Sequence, residues 1–128
     1  MSESVVEHVS QADSSSLSAH STAFNGLVSA TSVPRLAGSD FELGGIRAQA
    51  DVAFANLRED LELIGSGLQH LLHLTIYLTD MSDWAQFNES YREHVPRPYP
   101  VRAAIGVKAL AIEGMRVELT ALAAKVGA

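Results

Sequence analysis

The sequence contains no cysteine, which excludes disulfide bonds, thiolate metal sites and cysteine nucleophiles. It also lacks an apolar run of about 18 residues, the length that a membrane-spanning helix needs. The first ten residues include Glu3 and Glu7 and show no basic segment followed by an apolar one, so they do not resemble a secretory signal. We therefore expect a soluble, cytoplasmic protein that has no membrane partner.

Basic residues are scarce: the chain has nine lysines and arginines and fifteen aspartates and glutamates, which gives a net charge of −6. Only Lys108 and Lys125 are lysines, and the chain has no basic run. Nucleic-acid binding depends on cationic side chains that neutralise phosphates. The composition therefore predicts a protein that has no nucleic-acid partner.

Hydrophobic residues, by contrast, make up 47% of the 128 residues, which is enough for the core of one domain. Residues 1–15 are polar and rich in serine, and we interpret them as a flexible leader. Residues 16–128 then form a single domain.

The first half of this domain predicts a hairpin followed by a helix. The dipeptide Asn25-Gly26 between apolar segments is typical of a tight turn, so two short strands are expected within Leu17–Thr31. Over Ile46–Ile64, apolar residues recur at helical spacing and charged residues cover the opposite side. Gly65 and Gly67 follow directly and end this helix.

The second half predicts three more strands and another helix. Leu71–Thr79 alternates as a half-buried strand does, with Leu72 on the inward face. A helix is expected over Asp83–His94, and strands over Val101–Leu110 and Met115–Ala123. The order ββ-α-β-α-ββ indicates an α+β fold, in which a mixed sheet carries two helices on one face.

Three stretches, in this order and with fitting gaps, resemble the RidA/YjgF family over roughly residues 25–124. They are Ile46-Arg-Ala-Gln49 with Asn56-Leu57, then Thr75 to Trp84 with Phe87-Asn88-Glu89 and Tyr91, and finally Pro100-Val-Arg102-Ala103-Ala-Ile105 with Val117-Glu118-Leu119. The third stretch is close to the signature of that family.

The resemblance implies a RidA-like, chorismate-mutase-like subunit that assembles into a homotrimer. The sheets of the trimer form a central barrel, and small carboxylate metabolites bind in clefts between subunits. It also implies an activity, the hydrolysis of reactive 2-imino and 2-enamino acids to 2-keto acids and ammonia without a cofactor.

The resemblance assigns the chemistry to Arg102 and Glu118. The arginine that matches Arg102 holds the substrate carboxylate through two parallel hydrogen bonds, for which a guanidinium is well shaped. The glutamate that matches Glu118 activates the attacking water, as a buried carboxylate can. The residue pattern alone favours another interpretation, in which Arg102 is a surface ion-pair residue and Glu118 is part of a solvated strand face.

Three further residues are expected at the substrate: Asn88, Ala104 and Ser29. For Asn88 an alternative is open, in which its amide braces the segment that bears Arg102. Ala104 stands where the family often has cysteine, and either Ser16 or His20 stands where the family usually has a first-strand tyrosine. These departures leave two alternatives open, a non-catalytic trimer that binds a carboxylate as a sensor or partner protein, and a specialised catabolic deaminase. No metal site is expected.

Overall fold

The computed structural model describes residues 5–11, 15–38 and 40–126. Its two helices are α1 (Ile46–Glu62) and α2 (Trp84–His94). Its six strands are β1 (Glu7–Ser10), β2 (Ala19–Phe24), β3 (Leu27–Ser32), β4 (Leu71–Leu78), β5 (Val101–Gly106) and β6 (Val117–Ala124). Neither helix of these residues is long and apolar enough to cross a membrane.

The six strands form one mixed sheet in the order β1-β2-β3-β6-β4-β5. Strands β4 and β5 are parallel, and the other neighbours are antiparallel. The parallel pair needs a crossover connection, which α2 provides. The predicted hairpin joins β2 to β3, with positive φ angles of 52° at Asn25 and 80° at Gly26, as a two-residue hairpin turn requires. The predicted α+β architecture is thus confirmed.

Strand β1 was not predicted. It lies within residues 1–15 and pairs with β2 from Glu7, which is opposite Ala23. Val9 packs against the core, and the Lys125 Nζ donates to the Glu7 carboxylate at 2.7 Å. For these four residues the prediction of a flexible leader is wrong, because the exposed edge of β2 supplies the hydrogen bonds that their own sequence does not signal. Residues 1–4 and 12–14 lie outside the described residues.

One face of the sheet packs against the helices and forms the core. Its fully buried members include Leu74, Ile76, Leu78, Val117 and Leu119 from the strands, and Phe54, Leu57, Leu61 and Phe87 from the helices. A bulge after Leu71 turns that residue inward and leaves Leu72 exposed, so the prediction of an inward Leu72 is wrong. The predicted placement of two helices on one face is confirmed.

Buried polar side chains fix α1 on the sheet. Gln49 is fully buried, donates to the carbonyls of Gly44 and Gly114 at 3.0 Å each, and accepts from the backbone N–H of Arg116 at 2.7 Å. Ser32 of β3 donates to the Ala53 carbonyl at 2.7 Å. Because buried polar groups must be hydrogen-bonded, these contacts determine where α1 begins and how it lies on β3.

The second face of the sheet, here called the open face, has no helix over it among the described residues. Tyr77 and Glu118 lie opposite each other near its centre and are half-buried. Its exposed large apolar side chains, which are between 40% and 64% accessible, include Phe24, Leu27, Val101, Ile105 and Leu122.

Candidate functional site

Arg102 lies on β5, the edge strand next to β4, and pairs with Leu74 in register. Its side chain is therefore on the helix side of the sheet, where it meets α2. The guanidinium carbon lies 4.9 Å from the ring centroid of Trp84 and 4.2 Å from that of Tyr91. Nη1 donates to the Oδ1 of Asn88 at 2.8 Å. Since residues 84, 88 and 91 share one face of α2, a single helix face holds the guanidinium.

This arrangement leaves most donors of Arg102 available. A guanidinium has five N–H groups, and Asn88 takes one of them. None of the ion pairs within the described part of the chain involves Arg102. The interpretation of Arg102 as an ion-pair residue therefore finds no partner in these residues. A flat cation with free donors at its edge is suited to a carboxylate.

Glu118 lies on β6 opposite Tyr77 of β4 and belongs to the open face. Burial raises the pKa of Glu118 above its usual value. In the described residues its carboxylate takes part in no ion pair. A half-buried carboxylate with a raised pKa accepts a proton more readily near neutral pH than an exposed one does.

One chain does not bring Arg102 and Glu118 together. Arg102 pairs with Leu74 of β4, and Glu118 pairs with Tyr77 of the same strand. Because Leu74 and Tyr77 are three positions apart, their side chains and those of their partners point to opposite faces of the sheet. Ala104 shares the face of Arg102 and is exposed. The five predicted residues therefore divide into Arg102, Asn88 and Ala104 on the helix side and Glu118 and Ser29 on the open face.

Ser29 is exposed on β3, where it pairs with Leu122 of β6. It lines an open cavity of about 890 Å³ between β2, β3, the segment after β3 and the second half of α1. Other lining residues are His20, Thr31, Asn56 and Asp60. The cavity lies towards the β1 end of the sheet, whereas Arg102 is on the edge strand at the other end.

A pair in this cavity was missed by the sequence prediction. The Nδ1 of His20 lies 3.3 Å from the Oδ1 of Asp60. Burial raises the pKa of Asp60 to about 6, and His20 opposes this shift. His20 was considered only as a replacement for tyrosine. The available signal was Asp60 itself, a carboxylate on the apolar stripe of α1 between Leu57 and Ile64.

The sheet, its two helices and the arginine held by the second helix define the class of the protein, an α+β subunit of the YjgF type. Residues 16–125 match the family model described as endoribonuclease L-PSP. The solved structure of a YjgF-family protein from Neisseria meningitidis is 26% identical, has a TM-score of 0.84, and covers 98% of this chain and 99% of its own.

Curated relatives agree with this class. The mitochondrial protein mmf2 of Schizosaccharomyces pombe is 33% identical over 102 residues, which are 78% of this chain and 81% of mmf2. The 2-iminobutanoate/2-iminopropanoate deaminase of Bos taurus is 34% identical over 80 residues, which are 62% of this chain but only 58% of the relative. The chain belongs to the RidA/YjgF family.

Proposed function

We propose that this protein is an enzyme that hydrolyses small reactive 2-imino and 2-enamino acids to 2-keto acids and ammonia without a cofactor. The observation that carries the proposal is the position of the Arg102 guanidinium, which lies over the rings of Trp84 and Tyr91 of α2. Among the described residues, one of its N–H groups donates to Asn88, and most of the others have no protein partner. The name of the deaminase from Bos taurus supports the same reaction class.

In the proposed reaction Arg102 binds the substrate carboxylate and places carbon 2 in the cleft. Glu118 takes a proton from a water molecule as the water oxygen bonds to carbon 2, and the electron pair of the C=N bond moves to nitrogen. The nitrogen then takes this proton from Glu118, which leaves the carboxylate ionised for the next step. The resulting carbinolamine then loses ammonia and becomes the keto acid. A carboxylate whose pKa is raised by burial suits the role of the base.

We further propose that the complete site forms between two copies of the chain in a homotrimer. Arg102 and Glu118 lie on opposite faces of one sheet, and the cavity beside Ser29 lies away from the β5 edge. Packing the β5 edge of one copy against the cavity of the next is a head-to-tail contact, which forms a ring when its rotation closes. The apolar side chains on the open face favour such an assembly.

A second candidate is a trimer that binds a small carboxylate without turning it over. It is favoured by the absence of the first-strand tyrosine that the family usually has. In both candidates the partner is a small carboxylate metabolite, and the net charge of −6 argues against nucleic acid. A cytoplasmic location stays a prediction, since the relative mmf2 is named as mitochondrial.

The two candidates are separated by measuring turnover and binding on the same protein. We expect the wild type to release 2-oxobutanoate from 2-iminobutanoate that an amino-acid oxidase generates in situ. Glu118→Gln should lose most of this turnover and still bind 2-oxobutanoate in calorimetry. Binding of 2-oxobutanoate by a wild type that shows no turnover would establish the non-catalytic candidate instead.

A further inference from the structure

The cavity between β2, β3 and α1 holds an acid–base pair that the reaction described so far does not use. His20 lines the cavity, and the carboxylate of Asp60 stands behind it, with Nδ1 and Oδ1 3.3 Å apart. The side chain of Asp60 is 11% accessible, against 36% for His20. The pair therefore runs from the protein interior to the wall of the cavity.

A structural role does not account for the carboxylate. The Oγ of Ser21 already links β2 to α1 by donating to the backbone carbonyl of Asp60 at 3.1 Å, and any residue at position 60 would offer that carbonyl. A carboxylate on the apolar stripe of a helix costs free energy when it is buried. In the described part of the chain, its polar partner is His20. We therefore infer that the Asp60 carboxylate acts through its contact with the imidazole of His20.

A carboxylate 3.3 Å from Nδ1 forms an ion pair with a protonated imidazole, which holds the ring at the wall of the cavity. The second nitrogen, Nε2, is then the one that exchanges protons with a ligand. The other charged groups at the cavity are Glu59 of α1 and Arg35 after β3. Histidine is the side chain that changes charge near neutral pH, so this pair is suited to donating a proton to a ligand.

We propose that His20, oriented by Asp60, donates the proton to the departing nitrogen in the imine hydrolysis proposed above, on which this inference rests. In that step the C–N bond of the carbinolamine breaks, and its electron pair leaves with nitrogen, which takes the proton from Nε2 of the imidazolium. The C=O bond forms as the hydroxyl proton passes to the Glu118 carboxylate. Exchange with solvent returns that proton to His20, so the enzyme is regenerated and ammonia is released.

The inference is tested with His20→Gln and Asp60→Asn, and with His70→Gln as a matched control, because His70 does not line the cavity. Turnover of in-situ 2-iminobutanoate is measured against pH, together with calorimetric binding of 2-oxobutanoate and thermal unfolding. General acid–base catalysis typically contributes about 10²–10⁴-fold. We therefore expect His20→Gln to lower kcat about 100-fold or more, while its affinity for 2-oxobutanoate and its Tm stay near those of the wild type.

The pH profile gives a readout that a structural role would not move. A general acid must carry a proton to act, so the pH dependence of kcat in the wild type should differ from that in His20→Gln, which has no imidazole. Asp60→Asn should lower kcat less than His20→Gln does, because the imidazole is retained and only its ion-pair partner is lost.

The experiment distinguishes failure of the proposed function from failure of the proposed role of His20. A wild type without turnover overturns the proposed function and this inference with it. An active wild type, combined with a His20→Gln variant that is as active as His70→Gln, overturns this inference alone. A large drop of Tm in His20→Gln, matched by an equal loss of turnover at all pH values, would likewise assign the pair to stability.

Discussion

Arg102 depends for its orientation on three side chains of α2, because Trp84 and Tyr91 contact the plane of the guanidinium and Asn88 accepts from one end of it. A lysine at this position would keep the charge. It would lose both the stacking plane and the fork of donors that matches a carboxylate.

We therefore expect Arg102→Lys to fail as a replacement. Removing one partner of a desolvated charge pair typically costs about 2–5 kcal/mol, which corresponds to roughly 30-fold or more in affinity. Calorimetry with 2-oxobutanoate on the wild type, Arg102→Lys and Arg102→Ala measures this loss, and thermal unfolding should change less. Arg97→Ala is the matched control, since Arg97 also stacks on a tyrosine, Tyr99. Unchanged affinity together with a much lower Tm in Arg102→Ala would show that Arg102 is structural.

The raised pKa of Asp60 also predicts how the stability of the protein depends on pH. Its pKa in the folded protein is about 6, against about 3.9 for an unperturbed aspartate. Between these pH values the folded state binds more protons than the unfolded state, so the contribution of this group is full below pH ~4 and is lost as pH rises through 6. The free energy of unfolding should fall by on the order of 2 kcal/mol from this group over that range. Denaturant unfolding of Asp60→Asn should lack that fall, whereas Glu62→Gln, which changes an exposed carboxylate that does not act on Asp60, should retain it.

At the scale of the elements, Gln49 joins α1 to the loops that end at Gly44 and Gly114. Gln49→Leu would keep the volume but remove three part-buried hydrogen bonds to the backbone. A typical hydrogen bond contributes about 0.5–1.5 kcal/mol, so we expect the free energy of unfolding to fall by roughly 2–4 kcal/mol. Gln86→Leu on the exposed side of α2 is the control and should change it little. Equal effects of both substitutions in denaturant unfolding would contradict this role.

The sequence predicted those elements whose periodicity is long or whose turn chemistry is specific. The seventeen residues of α1 and the Asn25-Gly26 hairpin are both present. Strand β1 was missed because four residues are too few to show alternation. Strand β5 was predicted to end at Leu110 but ends at Gly106. The hydrogen bond from Arg102 to Asn88 agrees with one of the two predicted roles of Asn88, which is to brace the segment that bears Arg102. The sequence shows Asp60 on the apolar stripe of α1 but does not show that His20 is its partner, because that contact depends on how β2 lies over α1.

For the whole molecule, the open face carries apolar side chains that no described helix covers. We expect a trimer in solution, so light scattering should give a mass three times 13.7 kDa. Leu122→Asp would place a charge on this face and should shift the mass towards that of the monomer. Leu63→Asp is the control, because Leu63 is also exposed but lies at the end of α1. A wild type that stays a monomer at all concentrations would contradict the trimer and the shared site.

Because Arg102 lies far from the cavity in one chain, two inactive variants should restore activity when they assemble together. If each site takes its arginine from one copy and its His20–Asp60 pair from the next, two defective chains can complement each other. Arg102→Ala and His20→Gln are each expected to be nearly inactive alone. After denaturation and refolding as an equal mixture, roughly a quarter of the sites in a ring should combine two intact halves. Recovery of about a quarter of wild-type turnover would locate the two halves on different subunits, whereas no recovery would locate them on one.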